Sequence, residues 1–224
     1  HSIMGMKKII IMIGPPGSGK GTQAKKIAAK HNYRHISTGD LLRELAKKSN
    51  LNLTEKEAVA QMQSGNLVSD GIIFQLVFDS IIMELSAGKG VVLDGAIRNL
   101  EQAKGFQNFF KEKNLADEVL VLEISLSDKD SFDRLTKRRI CAQCGEIIPW
   151  LPSTKKLKVC SKCGGKLKTR QDDDAKVIKE RIEKQGNKAL APLVKFYKKL
   201  GALVKIDGNQ AIENVKKDID NVLC

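Results

Sequence analysis

Short apolar runs alternate with longer amphipathic stretches along this chain. Runs at 7–13, 91–93, 118–124 and 203–206 predict buried strands, and 35–37 predicts a short extended piece. Strands that alternate with helices indicate an α/β fold, in which a parallel five-stranded sheet is flanked by helices on both faces. Ligands bind such sheets beyond the carboxyl ends of the strands.

The helical stretches carry local boundary signals. Thr54 and Glu57 have the spacing of a capping box, which predicts a helix over 54–64. Further helices are expected over about 173–185 and 192–200. The segment 140–168 differs in composition, being rich in Cys, Gly, Pro and Lys, and it is interpreted as an inserted lobe.

A glycine-rich segment at 14–20 follows the first predicted strand. Gly17 and Gly19 allow the backbone to curl so that successive N–H groups face phosphate oxygens, and Lys20 would reach the β- and γ-phosphates. The generic motif places Ser or Thr directly after the lysine, whereas here Gly21 takes that place and Thr22 follows. An ordinary glycine turn is disfavoured, because a strand precedes the segment and a helix follows it.

Four of the five cysteines form two Cys-x-x-Cys pairs. Cys141 and Cys144 make the first pair, and Cys160 and Cys163 the second. Two such knuckles joined by a hairpin predict a tetrahedral Cys₄ zinc site with a structural role. The alternatives are two disulfides or four reduced thiols, and disulfides are disfavoured in a cytosolic chain.

Composition restricts the classes of function. The chain has 224 residues, 42% hydrophobic content and a net charge of +13, a balance that suits anionic ligands but also fits a lysine-rich solvated face. No apolar run approaches the roughly 20 residues that a membrane span needs. A cytoplasmic location without membrane partners is therefore expected.

Gly-Lys-Gly-Thr at 19–22 resembles the nucleoside monophosphate kinase family. Three further stretches match in order: 37–43 (Ser-Thr-Gly-Asp-Leu-Leu-Arg), Asp94-Gly95 with Arg98, and the arginines and aspartates from 138 to 181. With the cysteine lobe, the chain looks like the long bacterial type of adenylate kinase over 7–223. That resemblance implies a P-loop core (6–37, 69–139 and 171–224), a monophosphate-binding lobe (38–68) and a zinc-ribbon-like lid (140–170).

The resemblance also implies site residues. Catalytic roles fall to Lys20, Arg138, Arg170, Arg181 and Asp94, the last as organiser of Mg²⁺, with Asp172 and Asp173 locking the lid or orienting arginines. ATP binding falls to Gly14, Pro15, Gly17, Ser18, Gly19, Lys20, Gly21, Thr22, Arg134 and Arg138. AMP binding falls to Thr38, Gly39, Arg43, Val68, Gly95, Arg98, Gln102, Arg170 and Arg181.

One departure from the family pattern is visible at 94–99. The usual Asp-Gly-Phe-Pro-Arg-Thr is here Asp-Gly-Ala-Ile-Arg-Asn, which removes an aromatic side chain and a rigid turn. Ala96 and Ile97 are interpreted as a repacked core pair, although monophosphate affinity or base choice could differ.

The implied reaction is ATP + AMP = 2 ADP in a monomer whose partners are ATP, AMP and ADP. A kinase for UMP, CMP or dAMP is the first alternative. The second is a zinc-ribbon nucleic-acid-binding NTPase, disfavoured because the cysteine lobe offers no aromatic stacking platform beyond Trp150, which is expected to serve packing.

Overall fold

The computed structural model describes residues 6–63, 68–150, 154–169 and 174–223. Its main sheet has five parallel strands, confirming the predicted fold class. The strands of this sheet are, in spatial order, β2 (Tyr33–Ser37), β3 (Gly90–Asp94), β1 (Ile9–Ile13), β4 (Val119–Ser125) and β8 (Leu203–Asp207).

Nine α-helices occur among the described residues. They are α1 (Lys20–His31), α2 (Thr38–Leu45), α3 (Leu53–Gln63), α4 (Asp70–Ser86), α5 (Leu100–Glu112), α6 (Asp128–Lys137), α7 (Ala175–Gln185), α8 (Asn187–Lys199) and α9 (Ile212–Leu223). None of the helices in the described part of the chain has the length and apolarity to cross a bilayer.

The two faces of the sheet build two hydrophobic cores. Successive residues of a strand point to opposite faces, so Ile9 and Ile11 join the core beneath α4, α5 and α8, whereas Ile10 and Met12 join the core beneath α1 and α9. Strands buried on both faces are continuously apolar, and all five residues of β1 are buried. This packing holds the carboxyl ends of the strands at one rigid edge.

The start of α3 corrects the predicted capping box. Asn52 and Glu55 make the reciprocal bonds: the Asn52 side chain accepts from the Glu55 N–H at 2.8 Å, and the Glu55 carboxylate accepts from the Asn52 N–H at 2.9 Å. The prediction with Thr54 and Glu57 was wrong because α3 begins at Leu53, which places Thr54 inside the first turn. Ser64, the expected end of this helix, lies outside the described residues.

The helix expected over 192–200 begins earlier than the sequence suggested. It starts at Asn187, directly after Gly186, and Pro192 lies inside it. Because proline has no N–H to donate to the carbonyl four residues before it, α8 lacks one backbone hydrogen bond at this position. Asn187 anchors this start, since its side-chain amide donates to the Leu126 carbonyl at 2.9 Å.

A small antiparallel sheet forms the predicted cysteine lobe. Its central strand β5 (Arg139–Cys141) pairs with β6 (Ile147–Ile148) and β7 (Leu167–Lys168). Only Cys141, Ile148 and Cys160 form its buried hydrophobic cluster among the described residues. A core of this size indicates that another interaction stabilises the lobe.

Candidate active site

The loop between β1 and α1 has the shape of a phosphate loop. Gly14 adopts φ +144°, and a Cβ there would lie 2.3 Å from the Ile124 carbonyl oxygen, so only glycine permits this close approach to β4. The Ser131 hydroxyl donates to the Pro16 carbonyl and ties the loop to α6. Because α1 begins at Lys20, the positive end of its dipole faces the space inside the loop.

Lys20 lies at the centre of the loop. Its ammonium donates to the carbonyls of Gly14 at 2.6 Å and Pro15 at 2.9 Å. Desolvation lowers its pKa to about 8; Asp94 opposes this shift, and Arg181 and Arg98 add to it. Cations from the loop, from the segment after β3 and from α7 thus converge on one region.

Asp94 closes the same region from the end of β3. Its Oδ2 lies 3.4 Å from the His35 Nε2, and a Cβ on Gly21 would lie only 2.9 Å from that oxygen. The absence of a side chain at Gly21 therefore leaves room for the Asp94 carboxylate. Sequence reasoning missed His35, whose only signal was that it begins the short extended piece predicted over 35–37.

The segment after β3 is held from two sides through the carbonyl of Gly95. That oxygen accepts from the Thr38 hydroxyl at 3.0 Å and from the Arg98 Nε at 2.9 Å. Burial lowers the pKa of Arg98, and the nearby Asp94 opposes the shift. Three residues of the predicted AMP site are therefore in direct contact.

Gln102 fixes the same segment from α5. Its Oε1 accepts from the backbone N–H of Arg98 at 2.7 Å, and its own backbone N–H donates to the side chain of Asn99 at 2.8 Å. Asn99 thus caps α5 at the place where the family pattern has threonine. Ala96 and Ile97 are 1% and 3% exposed and belong to the main core, which confirms them as a repacked core pair.

The remaining arginines lie in different settings. Arg134 donates to the Gly208 carbonyl at 2.9 Å, at the loop that follows β8. Arg43 forms a salt bridge with Asp40 on the exposed side of α2. Arg138 follows α6 directly, and Arg170, Asp172 and Asp173 lie outside the described residues.

The four cysteines of the small sheet converge as predicted. All four Sγ atoms lie within 4.8 Å of one another, with Cys141 and Cys163 at 3.5 Å and Cys144 and Cys160 at 3.7 Å. A tetrahedral zinc ion with Zn–S bonds of about 2.3 Å needs sulfurs about 3.8 Å apart. The thiols are unbridged, so this geometry favours a metal site over the disulfide alternative.

Arg139 belongs to the stretch of arginines and aspartates from 138 to 181 that the resemblance placed over the reacting phosphates, and in the structure it bonds within the cysteine lobe. Its guanidinium donates to the carbonyls of Leu157 at 2.6 Å and Thr154 at 2.8 Å. It also lies 5.5 Å from the ring centroid of Trp150, which supports the packing role expected for that side chain.

A phosphate loop at the edge of a five-stranded parallel sheet, faced by arginines and one carboxylate, defines a P-loop phosphotransferase. The family model described as adenylate kinase matches residues 12–202. Curated relatives named adenylate kinase come from Archaeoglobus fulgidus (37% identity, 96% of this chain and 97% of the relative), Magnetococcus marinus (38%, 96% and 99%) and Petrotoga mobilis (39%, 96% and 96%). The chain belongs to the adenylate kinase family.

The contact between Gly21 and Asp94 generates a first prediction. Gly21→Ala should displace the Asp94 carboxylate and lower kcat by about 10- to 100-fold, as small misplacements of catalytic groups do. The matched control is Gly71→Ala on α4, where an added Cβ meets nothing within 4 Å. Turnover is measured in a coupled ADP assay. Equal turnover by the two variants would contradict the proposed displacement of the Asp94 carboxylate by a side chain at position 21.

The cysteine geometry generates a second prediction. Purified protein should contain one zinc ion per chain, and chelation after mild thiol modification should release it and lower the Tm, by about 2–4 °C for each kcal/mol of stability lost. Cys144→Ser should lose zinc, whereas Cys224→Ser, outside the knuckles, should retain it. Metal analysis that finds no zinc in the unmodified protein would exclude the site.

Proposed function

We propose that this chain catalyses ATP + AMP = 2 ADP, with Mg²⁺ bound to ATP. An oxygen of the AMP phosphate attacks the γ-phosphorus of ATP, the bond to the β–γ bridging oxygen breaks, and ADP leaves from each side. Such a transfer needs in-line positioning and charge neutralisation more than covalent help.

The convergence of cations on Lys20 carries this proposal. Arg98 belongs to the segment that would hold AMP and Arg181 to α7, yet both are close enough to lower the pKa of the Lys20 ammonium. A cationic region shared by two nucleotide sites suits a phosphoryl group that passes between two anions. Family membership supports the same reaction.

The ATP site is proposed to include loop residues 14–22, Arg134 on α6, and Arg138 directly after α6. Backbone N–H groups of the loop would bind the β-phosphate, and Lys20 would exchange its carbonyl partners for phosphate oxygens. Arg134, which already donates to the Gly208 carbonyl, would lie against the adenine, and Arg138 would contact the transferring group.

The AMP side is proposed to include Thr38, Gly39, Arg43, Val68, Gly95, Arg98 and Gln102. Arg98 and Arg43 would bind the phosphate, and Arg43 would leave Asp40 to do so. Thr38 and Gln102 would read the base. Arg170 and Arg181 would bridge the two phosphates once the lobes have closed.

Asp94 fits the proposed role toward magnesium. Its carboxylate faces the region of Lys20, and Mg²⁺ prefers oxygen ligands while keeping several of its waters. The four cysteines fit a structural zinc ion, since they leave no coordination position open for substrate. The zinc would supply the stability that three buried hydrophobic residues do not.

Lobe closure is proposed to protect the reaction from water. The segments 38–68 and 140–170 would close over AMP and ATP, bring the lid arginines to the phosphates and exclude the water that would hydrolyse ATP. Each catalytic site is expected to be complete within one chain, so a monomer should be active.

A nucleotide panel tests the proposed substrate. With MgATP as donor, AMP should be phosphorylated with a higher kcat/KM than UMP, CMP or dAMP in a coupled assay. Preference for another monophosphate would overturn AMP as the substrate and would point to the altered segment at 96–97. If no monophosphate raised the rate of ATP turnover above the rate with ATP alone, the proposed kinase activity would be overturned.

Lys20→Met tests the phosphate loop. Because the charge that neutralises the transferring group is lost, ADP formation should fall by at least about 10²–10³-fold while the circular dichroism spectrum is retained. Lys25→Met removes an exposed lysine from the same helix and should keep full activity. Near-normal turnover by Lys20→Met would refute the assigned role.

A further inference from the structure

The side-chain amide of Gln102 is bound on both of its sides. Its Oε1 accepts from the Arg98 backbone N–H at 2.7 Å, and its Nε2 donates to the Asp70 Oδ1 at 2.7 Å. Gln102 is 3% exposed, so water competes little for either bond. Asp70 is the first residue of α4, and no step described so far uses it.

These two neighbours permit only one orientation of the amide. A backbone N–H can only donate, and a carboxylate can only accept. If the amide of Gln102 turned over, its NH₂ group would face the N–H of Arg98 and its oxygen would face the carboxylate of Asp70. Both contacts would be repulsive, and two buried hydrogen bonds would be lost.

The fixed orientation determines which base the amide can read. After its two bonds are made, Gln102 retains one N–H donor on Nε2 and one lone pair on Oε1. Adenine presents an acceptor, N1, beside a donor, its 6-amino group. A 6-oxo purine presents the reverse pattern, a donor at N1 beside an acceptor at position 6, and would require the amide to turn over.

We propose that Asp70 is a specificity-determining positioning residue, which holds the Gln102 amide in the orientation that selects a 6-amino purine monophosphate over a 6-oxo one. The inference rests on the proposed function, in which Gln102 reads the monophosphate base. Asp70 itself need not contact the nucleotide. Its place at the start of α4 ties this helix to α5 and to the segment that carries Arg98.

Binding of AMP and IMP by titration calorimetry tests the proposal in two variants. Asp70→Ala removes the acceptor, so the Kd for AMP should rise by about 3- to 10-fold, the effect of one hydrogen bond. Asp70→Asn retains an acceptor but can also turn its NH₂ group to a reversed amide. Because the Arg98 N–H still opposes a reversed amide, the Kd for AMP should stay near that of the parent and the Kd for IMP should fall by less than this, so the ratio of the IMP Kd to the AMP Kd should decrease by about 2- to 3-fold.

A purely structural role for Asp70 would give a different result. Loss of a charge at the start of α4 would lower the Tm and change the affinities for AMP and IMP alike. Asp79→Ala, which removes an exposed carboxylate from the same helix, is the matched control and should leave the ratio unchanged. The Kd for ATP should be the same in all of these variants.

Gln102→Ala separates this inference from the proposed function. If Gln102→Ala lowers the preference for AMP over IMP but Asp70→Ala and Asp70→Asn do not, the role of Asp70 is overturned and base reading by Gln102 stands. If Gln102→Ala leaves the preference for AMP over IMP unchanged, base reading by Gln102 and the positioning role of Asp70 are both overturned. If Asp70→Ala is too unstable to measure, the change in IMP affinity of Asp70→Asn decides the question.

Discussion

The site depends on holding several cations together at one edge of a parallel sheet. Like charges within a few ångströms repel by several kcal/mol at the effective dielectric of a protein surface, and burial adds a desolvation cost that already lowers the pKa of Lys20. Asp94 offsets part of this cost, and the carbonyls of Gly14 and Pro15 accept hydrogen bonds from the Lys20 ammonium. The core on both faces of the sheet keeps these groups in place, so an anionic ligand would offset the repulsion among the cations.

The segment after β3 shows how this rigidity survives a change of sequence. Without proline at position 97, the backbone loses a covalent restraint on its conformation. Hydrogen bonds hold the segment: the Gly95 carbonyl accepts from Thr38 and Arg98, and the Gln102 amide oxygen accepts from the Arg98 backbone N–H. The apolar side chains of Ala96 and Ile97 fill the core beneath. The position of Arg98 therefore depends on α2, on α5 and on the core beneath the segment.

The cysteine lobe is too small to be stabilised by a hydrophobic core of its own. Three short strands bury too little apolar surface to fold alone, and the lobe relies on polar attachments instead. The four thiols lie at distances suited to one zinc ion. Arg139 donates to the carbonyls of Thr154 and Leu157 and packs on Trp150. These contacts join β5 to the rest of the lobe.

The sequence by itself determined the sheet, the phosphate loop and the cysteine pairs, because each depends on local periodicity or on spacing along the chain. It misplaced the cap of α3, where Asn52 and Thr54 are both short polar candidates and the Asn52–Glu55 bonds decide between them. It also misplaced the start of α8, because Pro192, a residue that favours the first helical position, lies inside that helix. Only the tertiary structure decided that His35 lies beside Asp94 and that Asp70 orients Gln102. Those partners are 59 and 32 residues apart, and no local pattern carries the geometry that joins them.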